Sequence, residues 1–259
     1  MPWLRRLWRA PAVAGWVVLG LLLSGLLQLP PLRWRTRLRQ AVTCWWMRGL
    51  LRLLPLRIRC HGQPPRRIAL WVGNHVSWLD IILLGAQAPV RFVSKAEVRH
   101  WPLLGWLAHQ AGTLFIQRGQ TSTEVSQRMA GVLEQGQGLV IFAEGTTTAG
   151  DRVRTFHGRL LGCAAGGAVP VQPVALAYRR GERRDDIAPF IGDDEFSRHL
   201  WRLLGSSCID VELHFLPLID SRQFERNQLA RGTRQAVVQA LGLEDSSSRQ
   251  SAEVLSAAA

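Results

Sequence analysis

The hydrophobic and polar positions of this chain fall into three regimes. Ala10 to Leu32 carries no charged side chain, and residues 12–29 would reach roughly 27 Å as a helix, close to the hydrocarbon thickness of a bilayer. The next stretch, RWRTRLRQAVTCWWMRGLLRLLPLRI from Arg33 to Ile58, interleaves Arg with Trp and Leu, the pattern of an amphipathic helix lying among lipid headgroups. Beyond the linker-like HGQPPRR, short β-rich runs alternate with helical ones. Strands are predicted at 67–72, 90–94, 113–118, 138–144, 168–178 and 208–219. Helices are predicted at 78–87, 98–110, 122–135, 157–166, 195–205 and 221–240. The runs are continuously apolar, as strands buried on both faces are. The expected fold class is therefore α/β, a central mostly parallel or mixed sheet flanked by helices, preceded by an N-terminal membrane-associated helical pair. Three segments follow: basic anchoring helices over 1–60, the α/β domain over 61–243, and a disordered tail over 244–259. No internal repeat is visible.

Charge sharpens the first regime. Thirteen Arg and no acidic residue precede Asp80; subtracting them from the 32 basic residues leaves 19, equal to the 19 acids, so the whole net charge of +13 sits in the N-terminal third. Such an arm suits nucleic acid or an anionic membrane surface, where each Arg contributes about 1 kcal/mol. The uncharged run and the interleaved Trp and Leu select the membrane and argue against nucleic acid. A cleaved signal peptide fits less well, because no small-x-small site follows the run. Arg flanks both of its ends, so charge does not orient it, and a re-entrant pair of helices fits as well as a span. The four cysteines, Cys44, Cys60, Cys163 and Cys208, show no paired spacing and read as small buried hydrophobes in a reducing compartment.

Candidate chemistry begins at GNHVSWLD, Gly73 to Asp80, where a strand ends and a helix begins, the usual place for sites in α/β sheets. Ser77 reads as the N-cap of that helix, with Asp80 completing a capping box. On a continuous helix His75 and Asp80 would point about 140° apart. With His75 in the loop, the imidazole can fold back on the carboxylate and present its other nitrogen as a base. No serine or cysteine nucleophile accompanies it, which points to activation of a substrate hydroxyl and direct transfer.

NHVSWLD resembles the Asn-His, four residues, Asp signature of the glycerolipid acyltransferase family, which includes the lysophosphatidic acid acyltransferases. GTLFIQRG (112–119), IFAEGTTTAG (141–150) and AVPVQPVAL (168–176) resemble its second, third and fourth motifs, in order, and SKAEVRHWPLLGWLAHQAG (94–112) its connecting segment. The resemblance implies that His75 is the general base on a glycerol-type hydroxyl, that Asp80 holds its tautomer, and that the hydroxyl attacks the thioester of acyl-CoA or acyl-carrier-protein. It implies that Asn74, Arg118, Glu144, Gly145 and Thr146 bind the acceptor. Guanidinium matches phosphate bidentately; Glu144 would hold an acceptor hydroxyl or Arg118 itself, unless the two form a plain ion pair. Lys95, the single lysine, reads as solvated. Two departures stand out: Ala143 replaces the family's Pro, and Thr147 replaces an Arg, removing a cation from the phosphate site, so that either Arg152 or Arg154 supplies it or the acceptor carries no phosphomonoester.

The expected reaction is transfer to a lysophospholipid, first 1-acylglycerol-3-phosphate giving phosphatidic acid, with lyso-ornithine lipid as the rival acceptor and a non-enzymatic membrane adaptor as the rival class. The enzyme is expected at the inner, cytoplasmic membrane, with its site facing the cytoplasm. No cofactor or metal is expected: His61, His100, His109, His157, His199 and His214 show no metal-ligand spacing, and there is no phosphate-binding or dinucleotide-binding glycine loop.

Overall fold

The computed structural model describes residues 1–29, 32–167 and 169–244; from residue 245 the expected tail lies outside the described residues, as does Ala168 at the start of the fifth expected strand. Two long helices, α1 (Pro2–Leu26) and α2 (Leu32–Leu53), lead into β1 (Leu56–His61), β2 (Leu70–Gly73), α3 (Leu79–Gly85), β3 (Val90–Lys95), α4 (Leu104–Gln110), β4 (Leu114–Ile116) and α5 (Ser122–Glu134). There follow β5 (Gly138–Phe142), β6 (Val171–Arg180), the two-residue β7 (Arg183–Arg184), α6 (Phe196–Gly205), β8 (Ile209–Phe215) and α7 (Arg226–Ala240). The sheet runs β1-β8-β6-β2-β5-β3-β4, with β7 beside β6. Strands β6, β2, β5, β3 and β4 are mutually parallel, β8 is antiparallel to β6, and β1 is parallel to β8.

Strands β2 and β5, at the centre of the sheet, are apolar throughout because both faces are covered. Trp71, Val140, Val174 and Leu213 point to a core shared with α2, α3 and α6. Leu70, Val72, Leu139 and Ile141 point to a second core under α5 and α7.

Four expectations change. The helix expected to continue to Ile58 ends at Leu53, and Leu56–His61 joins the sheet. Pro55 stops the helix, and Leu56 and Ile58 then alternate with Arg57 and Arg59 at the period of a strand, not of a helix. The helix expected over 157–166 is a single 3₁₀ turn, Gly158–Leu161, because Gly158, Gly162, Gly166 and Gly167 weaken it. The segment around Pro102 divides into a 3₁₀ turn, Ala96–His100, and α4. The last helix starts at Arg226, after a 3₁₀ turn at Ser221–Gln223.

Helices α1 and α2 pack through two tryptophans. Trp16 Nε1 donates to the Trp46 carbonyl at 2.9 Å and Trp46 Nε1 to the Trp16 carbonyl at 2.8 Å. A side chain at Gly20 would collide with the Trp46 ring, and one at Gly49 with the Trp16 ring, so each indole occupies space that glycine leaves on the facing helix. Among the described residues α1 is the one helix long and apolar enough to cross a membrane. Leu4, Leu7, Val18, Leu22 and Leu26 form an exposed stripe along it. Both of its ends are nevertheless tied to the globular domain. Arg9 donates to the carbonyls of Leu204 and Ser206 at 3.0 and 2.9 Å, at the electronegative end of α6. Beyond the other end, Gln28 donates to Gln110 of α4.

Candidate active site

Strand β2 ends at Gly73, and the chain then turns into α3. Asn74 is buried, and its amide pairs with the backbone of Leu176: Nδ2 donates to the carbonyl at 2.9 Å and Oδ1 accepts from the N–H at 2.8 Å. It prolongs the β2–β6 pairing by one residue. The amide of Asn74, expected to bind the acceptor, makes both of these bonds to the fold.

His75 Nδ1 lies 2.7 Å from Asp80 Oδ2, as expected, while its Nε2 has no partner among the described residues. The ring stacks on Phe142, with centroids 4.0 Å apart and planes 8° apart, and its side chain is 18% exposed. Phe142 packs with the α2 and α3 core, so the imidazole lies on the sheet face that carries the N-terminal helices.

Asp80 is fully buried. Its Oδ2 also accepts from the N–H groups of Val76 and Ser77, at 2.7 and 2.9 Å, and its Oδ1 accepts from the Tyr178 hydroxyl at 2.5 Å. Four donors thus hold one carboxylate, each charge-assisted bond compensating its burial. Tyr178, the only tyrosine in the chain, is missed by sequence reasoning because 98 residues separate it from Asp80. Burial, then the adjacent Asp80 charge, push its hydroxyl well above the ordinary range, so it stays a donor. Ser77 does not cap: the N-cap position falls on Trp78, and the Ser77 hydroxyl is buried with no partner among the described residues. Asp80 instead reaches back to the amides of Val76 and Ser77, in the loop that precedes the helix.

Glu144, at the end of β5, is buried. Its Oε1 accepts from the His75 N–H at 2.8 Å and its Oε2 from the Arg154 N–H at 2.7 Å. Burial raises its pKa, opposed by those two amides. Glu144 therefore holds the His75 loop, and the ion pair expected between it and Arg118 is not formed. Gly145 turns the chain with φ +70°, where a side chain would be strained, and Thr146 is exposed. The Thr147 hydroxyl donates to the Phe190 carbonyl. Thr148 N–H donates to the His75 carbonyl at 2.9 Å, and Phe190 N–H to the Val76 carbonyl at 2.9 Å.

Arg118 follows β4 on the same carboxyl edge of the sheet. It is 87% exposed and pairs with Glu97 at 3.0 Å, not with Glu144. From β2 to β4 there are three strand spacings, roughly 14 Å, so Arg118 stands across the mouth from His75. Lys95 is exposed. A cleft of about 700 Å³ between α5 and residues 222–226 and another of about 230 Å³ behind Val76 are not lined by His75. The imidazole is partly exposed, on the face that carries the N-terminal helices. Chemically, the arrangement offers a carboxylate-oriented imidazole with one free nitrogen, on the sheet face that carries the N-terminal helices.

Among known proteins, the acyltransferase family is matched over residues 57–177. The lyso-ornithine lipid O-acyltransferase of Pseudomonas aeruginosa is 50% identical over 245 residues, covering 92% of this chain and 94% of that one. The 1-acyl-sn-glycerol-3-phosphate acyltransferase of Neisseria meningitidis serogroup B is 27% identical over 202 residues, 76% of this chain and 79% of that one. The crystal structure of the 1-acyl-sn-glycerophosphate (LPA) acyltransferase PlsC from Thermotoga maritima matches with a TM-score of 0.69 at 19% identity, over 93% of this chain and 97% of that one, a likeness of fold.

Proposed function

This chain belongs to the glycerolipid acyltransferase family, and from that premise we propose that it is a membrane-bound O-acyltransferase whose acceptor is a lyso-ornithine lipid. That it is an enzyme acting on lysolipids comes with the family; the acceptor is the proposal. It reverses the order expected from sequence, which put 1-acylglycerol-3-phosphate first. The observation that carries it is the 50% identity to a lyso-ornithine lipid acyltransferase, against 27% to a 1-acylglycerol-3-phosphate one. Thr147 supports it: where an Arg was expected, a hydroxyl is bonded to the Phe190 carbonyl, and the position brings no cation to a phosphomonoester.

In the proposed mechanism His75 Nδ1–H donates to Asp80, and Nε2 takes the proton of the acceptor hydroxyl as its oxygen bonds to the thioester carbonyl carbon of acyl-CoA or acyl-carrier-protein. Collapse of the tetrahedral intermediate breaks the carbon–sulfur bond, and the imidazolium returns the proton to the departing thiolate. Asp80 steadies the imidazolium, Tyr178 and two backbone amides steady Asp80, and Glu144 fixes the loop from behind. Arg118 and Glu97, a cation and an anion side by side at the mouth, would meet the acceptor headgroup. Since α1 is tied to the domain at both ends, we take it to lie in the membrane plane, its exposed stripe in the hydrocarbon, at the cytoplasmic face of the inner membrane.

The test offers purified protein in mixed micelles both acceptors, with either thioester donor. A kcat/KM at least about tenfold higher for lyso-ornithine lipid is expected, the scale of discrimination available when a polar group is left unmatched. Preference for 1-acylglycerol-3-phosphate would overturn the proposal.

A further inference from the structure

We propose that His61, Glu212 and His214 form a binding site for a divalent first-row transition ion, best suited to Zn²⁺, on the open face of the β1–β8 edge. The parallel register of these strands sets His61 beside His214, and the two-residue repeat of a strand places Glu212 on the same face. Every second residue of β8 is buried, and Glu212 and His214 fall on the alternate, half-buried set. The two imidazoles stack with centroids 4.3 Å apart and planes 12° apart. Glu212 Oε2 lies 3.7 Å from His214 Nε2, and one ligand atom from each of the three side chains falls within 4.8 Å of the others.

Two imidazoles and a carboxylate are a ligand set that Zn²⁺ accepts, with bonds of about 2.0–2.2 Å, which bring neighbouring ligand atoms to roughly 3–3.5 Å. The preformed spacing therefore needs a closure of up to about 1.5 Å, with the stacked rings turning so that their in-plane lone pairs converge, within the reach of side-chain rotation at an exposed edge. Opposite His214 and Glu212 on β6 stand Ala175 and Ala177, short enough to leave that rotation free. The surroundings also select the ion. Arg179 lies 3.9 Å from Glu212, and Arg59 is its register neighbour on β1. Hard cations, which rely on several anionic oxygens, are disfavoured there, whereas a borderline ion gains most of its affinity from the two nitrogens. Binding would join β1, the edge strand that enters directly from α2, to the neighbouring β8 through side chains as well as backbone.

The test titrates Zn²⁺ into full-length, tag-free protein in detergent, in competition with a chromogenic chelator. One equivalent held with micromolar affinity and a raised Tm are expected. H61A and H214A should each weaken affinity about tenfold or more, the scale of losing an element of a metal site, with acyl transfer in metal-free buffer unchanged. Failure to compete with the chelator, or undiminished affinity in the double variant, would overturn the proposal. Should the variants unfold, Co²⁺ substitution of the wild-type protein decides. Absorption from nitrogen and oxygen ligands alone supports the site, and a thiolate charge-transfer band, assigning the ion to the exposed Cys60 or Cys208, refutes it.

Discussion

The loop carrying His75 and the mouth carrying Arg118 occupy the same edge of one sheet and are built to opposite specifications. Around His75, the N–H groups of residues 75, 76 and 77 and the carbonyls of residues 75 and 76 all have partners, drawn from Asp80, Glu144, Thr148 and Phe190. Arg118 has one exposed ion pair, an interaction of about 0–1 kcal/mol. The difference teaches where rigidity is needed. A proton moves over tenths of an ångström and requires a fixed nitrogen, whereas a mobile lipid headgroup is met better by long side chains that can adjust.

The strongest way to break the comparison is His75→Ala. We expect kcat to fall by about 10²–10⁴-fold with the circular dichroism spectrum unchanged; near-normal turnover would remove the chemistry from the rigid side. Next in size is Tyr178→Phe, which leaves Asp80 Oδ1 without its donor. A charge-assisted bond of this kind is worth about 1.5–3 kcal/mol, so chemical denaturation should show a loss of that order together with a lower kcat and an unchanged acceptor KM. A change in KM alone would place Tyr178 outside the relay. Arg118→Ala should do the converse, raising acceptor KM several-fold with kcat and Tm nearly unaffected; a collapse of kcat would mean that the mouth, too, is built for precision. The smallest effect concerns pH. Burial holds the Glu144 carboxyl above its unfolded pKa, so in the window between the two values the folded state binds more protons, and stability falls as pH rises through it. The Tm difference between wild type and Glu144→Gln should shift against the wild type as pH rises above the ordinary glutamate value of about 4.3. A pH-independent difference would show that the two amides cancel the effect of burial, and a shift in favour of the wild type that they outweigh it.

The same contrast explains what could be read in the chain. His75 and Asp80 pair within five residues, so the motif alone carries their geometry. Arg118 and Glu144 were legible as polar residues at strand ends, but not their partners, because Glu97 and the Arg154 amide are fixed by loop paths that no periodicity encodes. Ser77 looked like a cap because its residue type and position fit one; the helix starts one residue later, at the Trp78 N-cap, and Asp80 accepts from the Ser77 N–H while the Ser77 hydroxyl caps nothing. LRIRCH was hidden because its arginines continue the rhythm of α2, and only the period of two separates them. Glycines scattered over 158–167 undid a helix that composition alone suggested. Six of the strands emerged because short runs rich in Val, Ile, Leu and Phe, continuous in β2 and β5 and alternating with polar residues in β8, have few other uses in a chain of this size.

Strand β6 has a consequence for the timing of activity. Its Leu176 backbone grips Asn74 from 102 positions away, and Tyr178, two residues on, grips Asp80, so one short segment gauges the chain on both sides of His75. A nascent chain that has emerged from the ribosome only as far as β5 already contains the entire histidine motif, yet lacks the clamp that aligns it. Turnover should therefore appear late in synthesis, when β6 zips onto β2, and a product terminated before Leu176 should be inert.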